Sequence, residues 1–336
     1  MKLIVQIPCL NEEASLPETL RSIPRHVPGV DEVEVLVIDD GSSDRTSEVA
    51  RQHGADHVVR FTRRKGLASG FMAGLDAALR LGADIIVNTD ADNQYPAQDI
   101  PRLLAPILAG QADMVVGDRG VEEVPHFSWT KRRLQRLGSW VVRKVSGTAI
   151  ADATSGFRAL TREAALHINI VTDFTYTLET IIQAGKKKMA IAHLPIQSRQ
   201  TRPSRLFGST WEYVKRSAAS IVRIYAMYEP LKVFLLLGLM LVAGGLALGL
   251  RYAWFWWLGE VRGHLQSAIL SVLLLILGFM TLQWGILADV IASNRKLIED
   301  VLYRVRRMEL GQEPRAAAGL PQPSPREDAR VEGRRG

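Results

Sequence analysis

Two stretches of this chain stay uncharged for longer than a soluble core helix needs. Val233–Leu250 is apolar throughout, and Ala268–Ala288 is interrupted only by Ser271, Thr281 and Gln283. With no water in a bilayer core, a crossing segment must satisfy its own backbone amides, so apolar runs of about 20 residues read as membrane-spanning helices. Between them stand Trp254, Phe255, Trp256 and Trp257, suited to the far interface. The connecting loop holds only Arg251 and Arg262. The outer flanks hold Lys215, Arg216, Arg223 and Lys232 on one side, and Arg295, Lys296, Arg304, Arg306 and Arg307 on the other. The bias of basic residues toward the cytoplasm puts both termini, and everything before the first span, on that side.

The remaining chain is long enough for one substantial domain: 336 residues in all, with 42 basic and 35 acidic side chains and a formal charge of +7. A basic balance suits an anionic membrane or a phosphorylated substrate as well as nucleic acid. Here the basic residues flank the spans rather than forming one soluble stripe, which argues against nucleic acid. Cys9 is the only cysteine, so no internal disulfide exists, as befits a reducing compartment. Beside Pro8 it reads as a packed strand-end residue rather than a nucleophile. The N-terminus reads as a first strand, since Pro8, Asn11, Glu12 and Glu13 interrupt its apolar run too early for a signal peptide.

Over the first 200 residues, strand-like and helix-like segments alternate. Leu3–Ile7, Val33–Ile38, Ile85–Asn88 and Asp113–Val116 are apolar strands. Ser15 with Glu18 reads as a capping box opening a helix, and helices follow over about 45–53 and 66–81. This pattern predicts an α/β fold whose mostly parallel sheet is covered on both faces, with ligands beyond the carboxyl ends of its strands. Acidic and small residues gather at those ends: Pro8–Glu12, Asp39–Gly41 and Asp90–Asp92.

The strongest chemical signal is Asp90-Ala91-Asp92-Asn93-Gln94-Tyr95-Pro96, directly after a buried strand. Alternate residues of extended chain point the same way, so Asp90, Asp92 and Gln94 can converge on a hard divalent cation, Mg2+ or Mn2+, shared with phosphate oxygens. In Val37-Ile38-Asp39-Asp40-Gly41, one carboxylate can accept the N–H groups of a uracil or guanine, while Ser43 or Asp44 caps the next helix. Pro8-Cys9-Leu10-Asn11-Glu12-Glu13 borders the same crevice.

In this order the three segments resemble the family 2 inverting glycosyltransferases, and most closely the dolichol-phosphate mannose synthase and polyprenyl-phosphate glycosyltransferase branch. Lys65-Gly66-Leu67-Ala68, Val116-Gly117-Asp118-Arg119, Asp152-Ala153-Thr154-Ser155-Gly156-Phe157-Arg158 and Arg202-Pro203-Ser204-Arg205-Leu206 add to the likeness, which covers roughly residues 2–230. The resemblance implies a Rossmann-like GT-A type fold followed by the two spans. It implies a nucleotide-diphosphate sugar as donor and a polyprenyl phosphate as acceptor. Pro8, Leu10, Glu12 and Asp40 would line the base and ribose, with Asp90 and Ala91 also against the nucleotide sugar. Asp90, Asp92 and Gln94 would hold the metal, and Arg119, Arg202 and Arg205 would contact phosphates. Arg132 or Arg133 would bind the lipid phosphate.

A lipid phosphate monoester, with a second pKa of about 6, is already a nucleophile, so the chemistry needs alignment and charge stabilisation more than a strong base. Asp92, Arg119 and Arg205 would carry it. Glu179 would either orient an acceptor or sugar hydroxyl or make a structural hydrogen bond. The segment Thr130–Trp140 reads as a basic amphipathic helix that either grips the acceptor or rests the domain on lipid. The division expected is a catalytic domain over 1–208, a juxtamembrane helix over 209–230, two spans over 231–290, a cytoplasmic amphipathic helix over 291–310 and a disordered tail over 311–336. The spans also offer a surface for homo-oligomerisation. Other readings are a transferase extending a different lipid-linked or polysaccharide acceptor, and a non-catalytic nucleotide-sugar-binding membrane protein. A processive synthase would carry a Gln-x-x-Arg-Trp motif and a dehydrogenase a Gly-x-Gly-x-x-Gly turn; the chain has neither.

Overall fold

The computed structural model describes residues 1–120, 140, 142–144, 146–148, 150, 152–170, 176–197, 219, 223, 228–259 and 264–311. Strands β1 (Lys2–Cys9), β2 (Glu32–Asp39), β3 (His57–Arg60), β4 (Ile85–Asn88), β5 (Met114–Asp118), β6 (Arg158–Thr161) and β7 (Ile191–Pro195) form one sheet in the order β3-β2-β1-β4-β6-β5-β7. Every ladder is parallel except those of β6, which runs antiparallel to both β4 and β5. The central strands are buried on both faces and therefore lack polar alternation. Their side chains still divide by period two. Leu3, Val5, Ile7, Val35 and Val37 join one core with Leu16, Leu103 and Leu104. Ile4, Leu36, Ile38 and Ile86 join the other with Phe71, Leu75 and Ile181.

Helices α1 (Leu16–Ser22), α2 (Thr46–Gln52), α3 (Leu67–Arg80), α4 (Ile100–Leu108), α5 (Arg162–His167) and α6 (Tyr176–Lys186) cover these faces. The expected capping box at Ser15 does not form. The Ser15 hydroxyl donates to Glu12, and Glu18 instead accepts from Asn93 Nδ2 at 2.9 Å. Gly74 lets α3 press on the sheet, where a Cβ would lie 2.5 Å from Gln6 Oε1.

Helices α7 (Pro230–Trp257, 28 residues) and α8 (Leu265–Glu309, 45 residues) are each long and apolar enough to cross a bilayer. They pack as a hairpin through small residues. A Cβ on Gly238 would sit 2.7 Å from Leu282, and one on Gly278 2.7 Å from Val242; Ser271 Oγ donates to the Gly245 carbonyl at 2.6 Å. The amphipathic helix expected over 291–310 is not a separate element. It continues α8 without a break, and one face docks on the catalytic domain. Tyr303 stacks on His167 at 3.9 Å and donates to Glu163 at 2.5 Å; Arg306 donates to the carbonyls of Leu166 and Ile168, at 3.3 and 2.9 Å. The expected juxtamembrane helix falls mainly outside the described residues, as does the expected tail beyond Gly311.

The seam makes a prediction. Gly278→Val should force the two apolar helices apart at a cost of ~1–3 kcal/mol, lowering the melting temperature of the detergent-purified chain. An unchanged melting temperature would contradict the close packing.

Candidate functional site

Chain order places the crevice. The chain passes from β1 to β2 and β3 on one side of the sheet, then returns to β4 on the other, so the topological switch lies between β1 and β4. The β1–β4 ladder ends at Gln6↔Asn88, with Thr89 N–H still reaching Gln6 O at 3.1 Å, whereas β1 stays paired to β2 as far as Cys9↔Asp39. Beyond that point no ladder pairs Pro8–Glu12 with Thr89–Gln94.

Along the first edge, Pro8, Leu10 and Glu12 are half-buried while Cys9 is buried. The Cys9 thiol donates to Ile7 O at 3.3 Å, and burial pushes its pKa well up, as fits a packing residue. Asp40 follows β2, and its two oxygens accept the N–H groups of Lys65 (2.6 Å) and Gly66 (2.9 Å) at the start of α3. Gly41 has a φ of +73°, and a Cβ there would lie 2.6 Å from the Arg63 backbone, so the loop carrying Lys65 closes directly over it. Asp39 is wholly internal and accepts from Ser42 N–H at 2.7 Å and from the Ser47 hydroxyl. Asp44 accepts Thr46 N–H at 3.0 Å, but the N-cap of α2 is Arg45, so neither Ser43 nor Asp44 takes the N-cap position expected of them.

On the second edge Asp90, Asp92 and Gln94 are half-buried, while Ala91, Asn93 and Tyr95 are buried. This is the expected alternation, but the backbone is a turn rather than extended. Asn93 adopts φ +56°, Asp92 Oδ1 accepts Gln94 N–H at 3.1 Å, and Thr19 Oγ1 braces Ala91 O at 2.9 Å. Burial, reinforced by the charge of Asp92, pushes the Asp90 carboxyl up to about 7, with Arg119 and Arg158 only partly offsetting it. Enclosed neighbouring carboxylates of this kind fit a divalent cation, which removes the repulsion. Among the described residues no group of three or more His, Cys, Asp or Glu could hold a metal. Two carboxylates and an amide instead suit an ion that keeps positions for water and diphosphate oxygens.

Arg119, just past β5, lies beside this pair. Its Nε and Nη2 donate to the two oxygens of Asp152, at 2.7 and 3.0 Å, and Nη2 also reaches Thr154 Oγ1 at 2.7 Å. Burial alone would lower its pKa, but Tyr95, Asp152 and Asp90 raise it further than burial lowers it. The loop from Asp152 to Phe157 is pinned from beneath. Asn88 Nδ2 donates to Gly156 O (2.8 Å) and to the Tyr176 hydroxyl (3.0 Å), and Gly156 N–H donates to the Tyr95 hydroxyl at 3.0 Å. A Cβ on Gly156 would lie 3.0 Å from both Asp90 Oδ1 and the Tyr176 hydroxyl, so glycine is what lets the loop meet the carboxylate. Burial holds the Tyr95 phenol up at about 12, so it remains protonated. Arg158 is fully buried and donates to Ser155 O, Ala153 O and Thr180, fastening the loop to α6.

The supporting Asn88–Tyr176–Tyr95 set was not singled out from sequence. Its one local signal was Asn88, an amide ending the strand Ile-Ile-Val-Asn. Glu179 makes structural contacts, one of the two roles expected of it from sequence. It is fully buried one turn along α6, accepting from Gln183 at 3.3 Å and facing Arg295 of α8 at 3.5 Å. Arg132, Arg133, Arg202 and Arg205, and most of the segment Thr130–Trp140, lie outside the described residues.

The enclosure of Asp90 gives a pH dependence. With no cation bound, burial and the charge of Asp92 raise the Asp90 carboxyl from the ordinary 3.8 to about 7 in the folded protein. The ionised form is thus disfavoured by folding, and stability is lost as pH rises from about 4 to about 7, with no further loss from this group above. Asp90→Asn should therefore melt above the parent at about pH 8 in EDTA and lose that advantage by about pH 4. A variant melting at or below the parent at about pH 8 would contradict the enclosed carboxylate pair.

The family model for glycosyl transferase family 2 matches residues 4–168. The chain is 30% identical over 219 residues to polyprenol monophosphomannose synthase of Mycolicibacterium smegmatis, covering 61% of this chain and 81% of that one. It is 34% identical over 165 residues to undecaprenyl-phosphate mannosyltransferase of Micrococcus luteus, covering 47% and 66%. Among solved structures, glucosyl-3-phosphoglycerate synthase from Mycobacterium tuberculosis, in complex with Mn2+, UDP and glucosyl-3-phosphoglycerate, superposes with a TM-score of 0.51 at 24% identity, covering 66% of this chain and 79% of that one. This mostly parallel sheet is accordingly of the GT-A type, and the chain belongs to glycosyl transferase family 2 and is a glycosyltransferase.

Proposed function

We propose that the protein transfers a sugar from a nucleotide-diphosphate sugar to a polyprenyl phosphate at the cytoplasmic face of a membrane, inverting the anomeric centre in one displacement. The observation that carries this reading is the enclosed pair Asp90 and Asp92 at the switch point, with the Arg119–Asp152 clamp beside it. Pro8, Leu10, Glu12 and Asp40 line the nucleoside end, and Asp90 with Ala91 borders the sugar diphosphate. The acceptor class rests on the two mannosyltransferase relatives, both named for polyprenyl-type carriers. Asp90, Asp92 and Gln94 hold Mg2+ or Mn2+, which when bound neutralises charge on the departing diphosphate.

The chain's own residues align and stabilise. An oxygen of the lipid phosphate attacks the anomeric carbon, the bond to the nucleoside diphosphate breaks, and its electrons leave with that diphosphate. The attacking dianion needs no proton removed. Arg119 keeps its cation between anionic groups because Asp152 fixes its fork in place. Arg202 and Arg205 screen the diphosphate, and Arg132 or Arg133 grips the lipid phosphate.

Membrane insertion is supported by the apolar exposure of the hairpin. Leu236 is 64% exposed, Leu250 72% and Ile286 63%, surface that lipid would cover. Docking of the end of α8 on α5 supports a C-terminus on the same side as the catalytic domain, the cytoplasmic side by charge bias.

The test is transfer by purified full-length protein in nanodiscs, using a panel of UDP- and GDP-sugars, polyprenyl phosphates and Mn2+. Transfer should require the divalent ion, and Asp92→Ala should lose at least ~100-fold in rate, the scale of removing one transition-state electrostatic contact, with unchanged membrane insertion. Near-parental rates in EDTA would contradict the metal, and no product from any pair would contradict the acceptor class.

A further inference from the structure

Residues 198–229 join the catalytic domain covalently to the hairpin at the start of α7. The docked end of α8 is a second, non-covalent strut. At its centre, Arg295 Nη2 donates to the Tyr228 hydroxyl at 3.0 Å and faces Glu179 at 3.5 Å, and Arg295 Nε pairs with Glu299 at 2.9 Å. Glu299 in turn meets Lys187 at 3.5 Å, just past the end of α6, and the guanidinium lies 4.8 Å over the Tyr228 ring. Arg295 thus ties the last residues before α7, the helix α8 and the helix α6 together.

Helix α6 also reaches the crevice. Its first residue, Tyr176, stacks on Phe71 at 4.0 Å and accepts from Asn88, two residues before Asp90; one turn later comes Glu179. One short helix therefore has the end of the sheet at one end and the membrane helix on its flank. A lipid phosphate stays at the depth of the headgroups, while the sugar diphosphate is held at the strand ends. Displacement needs the reacting atoms to meet, and an error of about 1 Å costs up to ~100-fold in rate.

Resting on the acceptor class argued above, we propose that Arg295 is a positioning residue. Through Glu179 and Glu299 it fixes the height of the crevice over the bilayer, and with it the reach to a membrane-held acceptor. In this role Arg295 acts through Glu179, Glu299 and Tyr228 and sets where the membrane-embedded acceptor is met.

The experiment compares two acceptors on one nanodisc preparation: a long polyprenyl phosphate embedded in the bilayer and a water-soluble ten-carbon prenyl phosphate. Arg295→Met should lower kcat/KM for the embedded acceptor by at least ~10-fold and change it for the soluble acceptor by less than about twofold. Glu299→Gln, the milder break, should show the same selectivity, and Arg295→Lys should recover part of the loss. A cycle of Arg295→Met and Glu179→Gln read by melting temperature should be non-additive whether or not either acceptor is used. Equal loss for both acceptors, or no loss for the embedded one, overturns the positioning role, and additive melting shifts overturn the joint itself. If the parent uses neither acceptor while the cycle remains non-additive, the acceptor class fails rather than the joint, and the positioning role falls with that reading.

Discussion

Two neighbouring, half-buried carboxylates that repel each other lie where the sheet divides, and much of the surrounding architecture holds them there. Asp90 is pushed up to about 7 by burial and by Asp92. The turn that carries them is not left to relax. Thr19 braces Ala91, Glu18 holds Asn93, and Gly156 lies against Asp90 because no side chain intervenes. Burial of Asp90 costs stability in the free protein, and in the function proposed here a cation bound with a diphosphate would relieve it. A site of this kind favours its loaded state.

The cationic side is arranged on the same logic. Arg119 is held in a bidentate pair with Asp152 rather than left free in solvent. Arg158 is buried without an ion pair among the described residues, and burial lowers its pKa to about 10. It acts as a fastener of backbone carbonyls and keeps the Asp152–Phe157 loop seated on α6. The two arginines, one from the Val116–Arg119 segment and one from the Asp152–Arg158 segment, thus do different work. One can face anions, while the other orders the loop that supports the first.

What could be read from sequence followed the range of the interactions. β1, β2, β4 and β5 are marked by largely apolar runs ending in acidic or small residues, and the half-buried alternation of Asp90, Asp92 and Gln94 holds although it is made by a turn rather than by extended chain. β6 did not, because its four residues include the buried Arg158, and its antiparallel insertion between β4 and β5 leaves no local trace. β3 is a short half-buried strand at the sheet's edge. The Ser15 capping box does not form because both its residues are engaged elsewhere, Ser15 by Glu12 three residues earlier and Glu18 by Asn93 of the Asp90–Pro96 turn. The pairing of Asn88 with Tyr176 spans 88 positions, and that of Glu179 with Arg295 spans 116. Neither is visible in a local pattern. The amphipathy over 294–310 was legible, but that its polar face docks on the catalytic domain depends on tertiary contacts.

The central claim is that Asp90 and Asp92 hold a divalent ion at the switch point between β1 and β4. The most direct measurement is anomalous diffraction at the manganese edge from crystals grown with Mn2+ and a nucleoside diphosphate. The account predicts one strong peak within coordination distance of both carboxylates, with diphosphate oxygens completing the shell. A nucleotide bound with no peak there, or a peak remote from both residues, would contradict it.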